Sequence, residues 1–193
     1  MIIGIAGGTG CGKTTLLSLI EEHGGKIIDC DGLYHQLLKT DKRLLQNIEN
    51  RFPGVVENGI LQRKKLGNLV FSDPANLQDL NRITHQTVYN AVVARLTPEP
   101  ALAAIDAIGL FESGLDKLCK LTIAVTAPMD ARIDRLMARD GIDRAYALAR
   151  ISAQPSSEEF SARCDYTLVN DSTPETFREK CLAFLQDLAI ITI

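Results

Sequence analysis

The first residues that could do chemistry form a glycine-rich segment near the start of the chain. Gly7 and Gly12-Lys13-Thr14 match the P-loop pattern G-x-x-x-x-G-K-[ST]. An apolar run precedes the segment and a helical pattern follows it, which is the context that this motif requires. Closely spaced glycines let backbone N–H groups converge on phosphate oxygens, and a helix start favours anions. The segment therefore predicts a nucleoside triphosphate site with Mg²⁺. A glycine-rich turn that merely joins strand to helix is the weaker alternative.

The residues of this P-loop have separate predicted roles. Lys13 is expected to reach the β- and γ-phosphates of ATP, and the Thr14 hydroxyl is expected to hold Mg²⁺. The predicted nucleotide-binding residues of the loop are Gly8, Thr9, Gly10, Cys11, Gly12, Lys13, Thr14 and Thr15.

Acidic residues follow two apolar runs farther along the chain. Asp29 ends the run Lys26–Asp29, and Asp31 follows two residues later. Asp106 directly follows the run Ala101–Ile105. Ligands of open α/β sheets bind at the carboxyl ends of the strands, so these acids are candidates for the same crevice as the P-loop. We predict that Asp31 orients an acceptor hydroxyl and takes its proton, and that Asp106 joins Thr14 as a metal ligand. The alternative for each is a helix N-cap or turn residue, and it has most weight for Asp29.

Three arginines recur at helical spacing in the second half of the chain. Arg132, Arg135 and Arg139 are separated by three and four residues, which places them on one helix face. In a phosphoryl-transfer enzyme such a face can act as a lid that supplies positive charge to the transition state. We predict this role for Arg139, whereas for Arg132 we predict a solvated side chain paired with nearby acids.

The pattern of apolar residues indicates the elements that must position these groups. Strands alternate with helices, which predicts an α/β, three-layer P-loop NTPase fold with a parallel five-stranded sheet, a helical insertion and an Arg-bearing lid. The stretch from about Leu33 to Leu96 has helical periodicity and lacks convincing strands. Met129–Ala153, which includes the lid, is predicted to be an Arg-rich helical stretch with a turn at Asp140-Gly141. The predicted strands are Ile2–Ala6, Lys26–Asp29, Ala101–Ile105, Leu121–Val125 and Tyr166–Val169.

We interpret the chain as a single kinase-like domain. Its core covers about residues 1–32 and 99–193, its insertion about 33–98 and its lid about 130–155. A composition of 46% hydrophobic residues over 193 residues is enough for one substantial core. The net charge of −3 argues against a general nucleic-acid binder, which normally has a basic excess.

Composition also predicts the cellular environment. The 5 cysteines are an odd number without metal-ligand spacing, which favours reduced thiols in a cytoplasmic protein. The sequence begins directly with a core-like strand rather than a basic leader, so we expect no signal peptide. No apolar run approaches the roughly 20 residues that a bilayer span needs, and we expect no membrane partner.

Together with further segments of the sequence, these residues resemble the motifs of the dephospho-CoA kinase family over nearly the whole length of the chain. Members of this family transfer the γ-phosphoryl group of ATP to the ribose 3′-hydroxyl of dephospho-CoA, the last step of coenzyme A synthesis. The segments that are similar to family motifs are Ile3–Thr15, Asp29–His35, Gly59–Leu66 with Val70-Phe71, Leu80–His85, Asp106–Leu115, Arg135–Gly141, Ala149–Gln154 and Cys164–Asn170.

The resemblance implies roles for individual residues. It makes Asp31 the catalytic base, Arg63 a contact to the acceptor or the phosphates, and Arg139 a lid residue over ATP. Asn170, in the last similar segment, is expected among the nucleotide-binding residues. The implied cofactors are ATP and Mg²⁺, the implied partner is dephospho-CoA, and we expect a monomer or weak homo-oligomer.

The sequence also departs from the family pattern. The family's threonine before the glycines is Ala6, its Pro-Leu pair after the acid is Ile108-Gly109, and its lid lysine and a later alanine are Phe160 and Cys164. Three alternatives remain open, and the departures bear on the last of them. They are another small-molecule kinase acting on nucleosides or nucleotides, a nucleotide-binding regulatory protein, and a degenerate kinase.

Overall fold

The computed structural model describes residues 1–191 of the chain. Two compact units are present. One comprises Met1–Ile28 together with the chain from Glu99 onward, and the other comprises Asp29–Pro98. The insertion predicted over residues 33–98 falls within the second unit.

A parallel sheet organises the first unit. The strands of residues 1–191 are β1 (Ile2–Ala6), β2 (Lys26–Asp29), β3 (Val56–Glu57), β4 (Ile60–Leu61), β5 (Ala103–Asp106), β6 (Leu121–Thr126) and β7 (Tyr166–Val169). Five of them form one sheet in the order β2-β5-β1-β6-β7. The central strand β1 runs parallel to β5 and β6, and Ile5 lies opposite both Asp106 and Ile123. This register brings the end of β1 next to the acid at the end of β5.

Helices connect these strands. Those of the described residues are α1 (Lys13–Glu22), α2 (Cys30–Thr40), α3 (Lys42–Arg51), α4 (Arg63–Phe71), α5 (Pro74–Arg95), α6 (Met129–Asp140), α7 (Arg144–Ser152), α8 (Ser157–Arg163) and α9 (Pro174–Asp187). Several begin at residues whose side chains accept backbone N–H groups, as Asp41 does for α3 and Thr173 for α9. Over residues 1–191, a helix with both the length and the apolar character of a membrane span does not occur.

The core of the first unit lies between the sheet and its helices. Ile3 and Ile5 of β1 are fully buried, as are Leu16 of α1 and Phe177 of α9, and these two helices pack against each other. Strands covered on both faces require continuous apolar runs, which is the pattern that β1 shows. The parallel sheet with helices on both faces confirms the predicted fold class.

The lid region consists of two helices rather than one. Gly141 adopts a positive φ of 65° and ends α6, and Asp143 then caps α7 by accepting the N–H of Tyr146. The predicted helical stretch Met129–Ala153 is thus divided at the Asp140-Gly141 turn, where a left-handed glycine is followed by an N-cap. The two helices pack through a small apolar cluster: Ile133, Leu136, Ala147 and Ile151.

The second unit is mostly helical but contains a short hairpin. Strands β3 and β4 pair antiparallel, with Val56 opposite Leu61. The turn between them is Asn58-Gly59, and both residues have positive φ, 51° and 75°. The prediction that this stretch lacks strands was wrong, because an Asn-Gly pair is well suited to a two-residue hairpin turn. Helices α2 to α5 enclose the core of this unit, which includes Leu44 and Ile48.

Candidate active site

The P-loop lies between β1 and α1, and its backbone requires glycine. Gly7, Gly10 and Gly12 have φ values of 148°, 76° and 100°, which other residues rarely adopt. A Cβ atom on Gly7 would lie 2.3 Å from the carbonyl oxygen of Val125 on β6. Tight packing against the neighbouring strand thus explains why glycine stands at this position.

Two side chains predicted to act on phosphate and metal lie close together at the P-loop. The Lys13 ammonium donates a hydrogen bond to the Gly7 carbonyl at 2.7 Å, and its Nζ lies 3.7 Å from Asp106 Oδ1. The register that sets Asp106 beside the end of β1 produces this pairing. Thr14 is exposed in the first turn of α1. Lys13 is therefore held near the loop by a carboxylate and a carbonyl.

Thr14 and Asp106 offer the type of ligand that Mg²⁺ prefers. Mg²⁺ binds hard oxygen atoms, and it is usually held by one or two protein ligands, phosphate oxygens and several waters. Within residues 1–191 there is no group of three or more His, Cys, Asp and Glu side chains that could hold a metal ion. The donor set thus fits Mg²⁺ bound together with phosphates.

Cys11 and Thr15 have their positions fixed by packing and by the backbone. The Cys11 side chain is 1% exposed, and burial raises the pKa of its thiol although Lys13 acts in the opposite direction. The Thr15 N–H donates to the Gly12 carbonyl at 3.1 Å. The Cys11 thiol is therefore an interior group of the loop rather than a reactive sulfur.

Arg132 is buried beside the P-loop. Its side chain is 3% exposed, and its Nε donates to the Thr9 carbonyl at 2.9 Å. The prediction of a solvated side chain was wrong, because Arg132 lies on the same helix face as the buried Leu136, one turn away. Burial lowers the pKa of its guanidinium, and among residues 1–191 its Nη2 has no hydrogen-bond partner.

Arg135 and Asn170 form a second connection to the same loop. Arg135 Nη1 lies 3.2 Å from the Gly10 carbonyl, and its Nη2 lies 3.0 Å from Asn170 Oδ1. Asn170, which is 5% exposed, donates Nδ2 to the Cys11 carbonyl at 3.0 Å. The structure thus brings the sequence-predicted Asn170 to the P-loop, where its amide contacts the loop backbone.

Gln154 contacts the P-loop and was missed by the sequence reasoning as a site residue. Its Oε1 accepts the Thr9 N–H at 2.7 Å. Gln154 lies in the connection between α7 and α8, so this bond joins the lid region to the loop. The only signal in the sequence was its place at the end of the segment Ala149–Gln154, which did not by itself indicate a role.

Arg139 lies at the end of α6 in an ion pair with the next residue. Its Nε and Nη2 donate to the two carboxylate oxygens of Asp140 at 2.7 and 2.9 Å, and its side chain is 60% exposed. Asp140 also accepts from Arg150 on α7 at 2.6 Å. Hydrogen bonds, from Arg139 first and then Arg150, lower the pKa of Asp140 to about 2. This carboxylate therefore links the two lid helices at neutral pH.

In the second unit, Asp29 and Asp31 have different positions at the start of α2. Asp29 is the N-cap, and its Oδ1 accepts the N–H groups of Asp31 and Gly32, each at 3.0 Å. The N-cap alternative is thus confirmed for Asp29. Asp31 is exposed in the first turn of the helix, where the helix dipole favours a carboxylate.

Arg63 begins α4 and contacts the same helix. Its Nη2 lies 3.5 Å from Nδ1 of His35, which is one turn beyond Asp31 on α2. Burial raises the pKa of the neighbouring Tyr34 hydroxyl, while the charge of Arg63 opposes this shift. The second unit thus contains a carboxylate (Asp31), an imidazole (His35) and a guanidinium (Arg63) in the first half of α2 and beside it.

Two of the departures from the family pattern are interior residues. Ala6 is fully buried at the end of β1, and Phe160 of α8 is 3% exposed. Apolar side chains of this kind contribute packing at these positions. The charge at the P-loop is supplied instead by Lys13, Arg132 and Arg135.

Comparison with known proteins agrees with this geometry. The family model for dephospho-CoA kinase (CoaE) matches residues 1–175. Dephospho-CoA kinase of Anaeromyxobacter dehalogenans is 36% identical over 193 residues, covering 97% of this chain and 92% of the relative. Dephospho-CoA kinase of Syntrophotalea carbinolica is 31% identical over 194 residues, with coverage of 97% and 92%.

A solved structure has the same fold over the same length. The crystal structure of TT1252 from Thermus thermophilus superposes with a TM-score of 0.80 at 34% identity, and the match covers 97% of both chains. The family match spans the P-loop, both acids at the start of α2, the arginine that opens α4 and the lid helices. The chain therefore belongs to the dephospho-CoA kinase family.

Proposed function

We propose that this protein transfers the γ-phosphoryl group of ATP to the ribose 3′-hydroxyl of dephospho-CoA, giving ADP and coenzyme A. The observation that carries the proposal is the match to the dephospho-CoA kinase family over residues 1–175, a range that includes Lys13, Asp31, Arg63 and Arg139. The P-loop geometry supports it independently, because the loop has the backbone conformation of a phosphate cradle.

The donor side of the reaction uses the P-loop backbone and Lys13. Among residues 1–191, the N–H groups of Gly10 and Gly12 have no backbone acceptor, so they are available to phosphate oxygens. The start of α1 adds the positive end of its dipole. We propose that Lys13 exchanges its contact with the Gly7 carbonyl for an oxygen of the β- or γ-phosphate.

Thr14 and Asp106 would hold Mg²⁺ beside these phosphates. The bound ion would supply positive charge that neutralises the phosphate oxygens during transfer. Asp106 already pairs with Lys13 at 3.7 Å, so the charges of the lysine and of the metal ligand are balanced before a substrate arrives.

The transfer is a direct in-line displacement. The acceptor 3′-oxygen forms a bond to the γ-phosphorus, and the bond from that phosphorus to the β,γ-bridging oxygen breaks, so that ADP leaves. Asp31 takes the proton of the acceptor hydroxyl, and Arg63 and Arg139 balance charge on the migrating group. Asp31 is exposed, so its carboxylate is accessible to an acceptor hydroxyl.

Arg139 must leave Asp140 in order to reach a phosphate. Arg150 would then remain on Asp140, so the carboxylate keeps one partner when the first is withdrawn. The lid arginine can therefore change partners without leaving an unpaired charge, which keeps the cost of the exchange small.

A coupled assay of ADP release tests the proposal. The protein is supplied with ATP and Mg²⁺ and, in separate reactions, with dephospho-CoA, with nucleosides and with nucleoside monophosphates. We expect dephospho-CoA to be by far the best acceptor, with the new phosphate on the ribose 3′-oxygen by ³¹P NMR. A nucleoside or nucleotide that is phosphorylated faster would overturn the proposed acceptor, and ATP binding without transfer to any acceptor would indicate a degenerate kinase or a regulatory protein.

We further propose a cytoplasmic location and a monomer or weak homo-oligomer. The five cysteines are all free thiols, which suits a reducing compartment. Analytical ultracentrifugation over a range of protein concentrations measures the state of assembly, and a concentration-independent dimer or larger species would contradict this part of the proposal.

A further inference from the structure

Three successive carbonyl groups of the P-loop are each held by a side chain from outside the loop. Arg132 Nε donates to Thr9 at 2.9 Å, and Asn170 Nδ2 donates to Cys11 at 3.0 Å. Between them, Arg135 Nη1 donates to the carbonyl of Gly10 at 3.2 Å. We call Arg132, Arg135 and Asn170 the carbonyl clamp.

The planarity of the peptide bond converts these contacts into an orientation of the loop. In a trans peptide the carbonyl group and the N–H of the next residue point in opposite directions. Holding the carbonyls of residues 9 to 11 toward the clamp therefore turns the N–H groups of residues 10 to 12 away from it. The N–H of Cys11 is taken by the Gly8 carbonyl at 3.3 Å, which leaves those of Gly10 and Gly12 for a ligand.

The clamp residues are themselves fixed. Asn170 is 5% exposed, its own N–H donates to the Thr126 carbonyl at 2.7 Å, and its Oδ1 accepts from Arg135 at 3.0 Å. A Cβ atom on Gly12 would lie 2.2 Å from Asn170 Nδ2, so the amide is packed directly on the loop. Such a group cannot turn away without repacking the interior.

The preceding peptide has the opposite orientation. Gln154 accepts the Thr9 N–H at 2.7 Å, and the Gly8 carbonyl in the same peptide plane accepts the N–H of Cys11 inside the loop. Thr9 thus has both backbone groups bound, its N–H by the lid connection and its carbonyl by Arg132. The change in peptide orientation occurs at Thr9 and is fixed on both sides.

We propose that Arg132, Arg135 and Asn170 are positioning residues that preorganise the P-loop for phosphate by fixing the direction of its peptide dipoles. The inference rests on the proposed function, since it assumes that phosphate binds the loop. Dipoles that already point at the developing charge cost no reorganisation when the ligand arrives, so their loss weakens phosphate binding more than folding.

The test measures the affinity for ADP and for pyrophosphate by isothermal titration calorimetry, together with the melting temperature of the ligand-free protein. Asn170→Asp keeps the size and the acceptor for Arg135 but replaces the donor to Cys11 with an oxygen. Arg132→Met removes the donor to Thr9 and retains volume, and Arg132→Lys restores one donor. Arg144→Met is the matched control, because Arg144 is exposed and pairs with Asp130 away from the loop.

We expect the dissociation constants of ADP and pyrophosphate to rise about tenfold or more in Asn170→Asp and Arg132→Met, with partial recovery in Arg132→Lys. Arg144→Met should bind as the wild type does, and the ligand-free melting temperature should change far less than the affinity. Unchanged affinities in Asn170→Asp and Arg132→Met, or affinities that fall only in proportion to lost melting temperature, would refute the clamp.

These measurements distinguish a failure of the proposed function from a failure of the carbonyl clamp. A wild-type protein that binds neither ADP nor pyrophosphate contradicts the proposed function itself. A wild-type protein that binds both and phosphorylates dephospho-CoA, while the clamp variants retain its affinities, contradicts the clamp alone.

Discussion

Arg132 illustrates how a charged side chain can lie in the interior of a protein. The residue is 3% exposed, and within residues 1–191 its guanidinium donates to a backbone carbonyl rather than to a carboxylate. Arginine suits this position because it retains its charge even where burial lowers its pKa. A lysine at the same depth would lose its proton more easily, so the two residues are not equivalent here.

The two acids at the start of α2 allow a matched test of the catalytic base. Asp31→Asn should lower kcat about 100-fold or more, because an amide cannot take the proton of the acceptor hydroxyl. Asp29→Asn should keep most of the activity, because asparagine caps a helix as well as aspartate does. Steady-state kinetics with dephospho-CoA, and circular dichroism of both variants, provide the comparison.

Equal losses of kcat in these two variants would show that the start of α2 matters only as a structural unit. Near wild-type turnover in Asp31→Asn would remove that residue from the base role, whatever the result for Asp29→Asn.

Some site residues could be predicted from their types and spacing, and others could not. Lys13, Thr14 and Asp106 follow from a motif and from strand ends, where sequence position determines spatial position. Arg132 and Gln154 contact the loop because of tertiary packing, and nothing in their local sequence distinguishes a backbone clamp from a surface residue.

At the scale of elements, apolar runs bounded by turn residues gave the most accurate predictions. The bounds of β1, β2 and β7 agree with those expected, because each is a short run that ends at or just before a glycine or polar residue. The hairpin of β3 and β4 was missed because its strands are only two residues long and show no alternation. Its Asn58-Gly59 turn was nevertheless a usable signal.

Helix α8 depends on its N-terminal cap, which gives a prediction at this scale. Ser156 and Glu159 form a reciprocal capping box, with Ser156 Oγ accepting at 3.1 Å and Glu159 Oε2 accepting at 2.7 Å. Ser156→Ala should lower the free energy of unfolding by about 1 kcal/mol, because a short helix gains much of its stability from its ends. Urea denaturation measures the change.

The adjacent Ser157→Ala is the control for this prediction, because Ser157 is already inside the helix and alanine has the higher helix propensity. Ser156→Ala as stable as the wild type, or Ser157→Ala as unstable as Ser156→Ala, would show that the capping box contributes nothing measurable.

At the scale of the whole molecule, buried thiols make stability depend on alkaline pH. Burial raises the pKa of both Cys119 and Cys181 to about 12, from an ordinary value of 9.0. The folded state thus keeps protons that the unfolded chain releases first. This contribution to stability is fully present below about pH 9 and is lost as the pH rises from 9 toward 12.

We therefore expect the melting temperature to fall between pH 9 and pH 11, and to fall less steeply in Cys181→Ala, because one of the buried thiols no longer titrates. Val125→Ala, a truncation of another fully buried residue in the same core, should lower the melting temperature without changing its dependence on pH. Identical pH slopes in Cys181→Ala and the wild type would exclude Cys181 as a source of the effect.

The carbonyl clamp has a consequence for how the protein is made. A ribosome synthesises the glycine-rich loop well before Arg132, Arg135 and Asn170, the residues whose side chains set its peptide orientations. At about 5–20 residues per second, they emerge on the order of ten seconds after the loop does. During that interval the nascent chain carries the complete motif without its final shape. Nucleotide can therefore assist folding of the loop only after Asn170, the last residue of the clamp, has been translated.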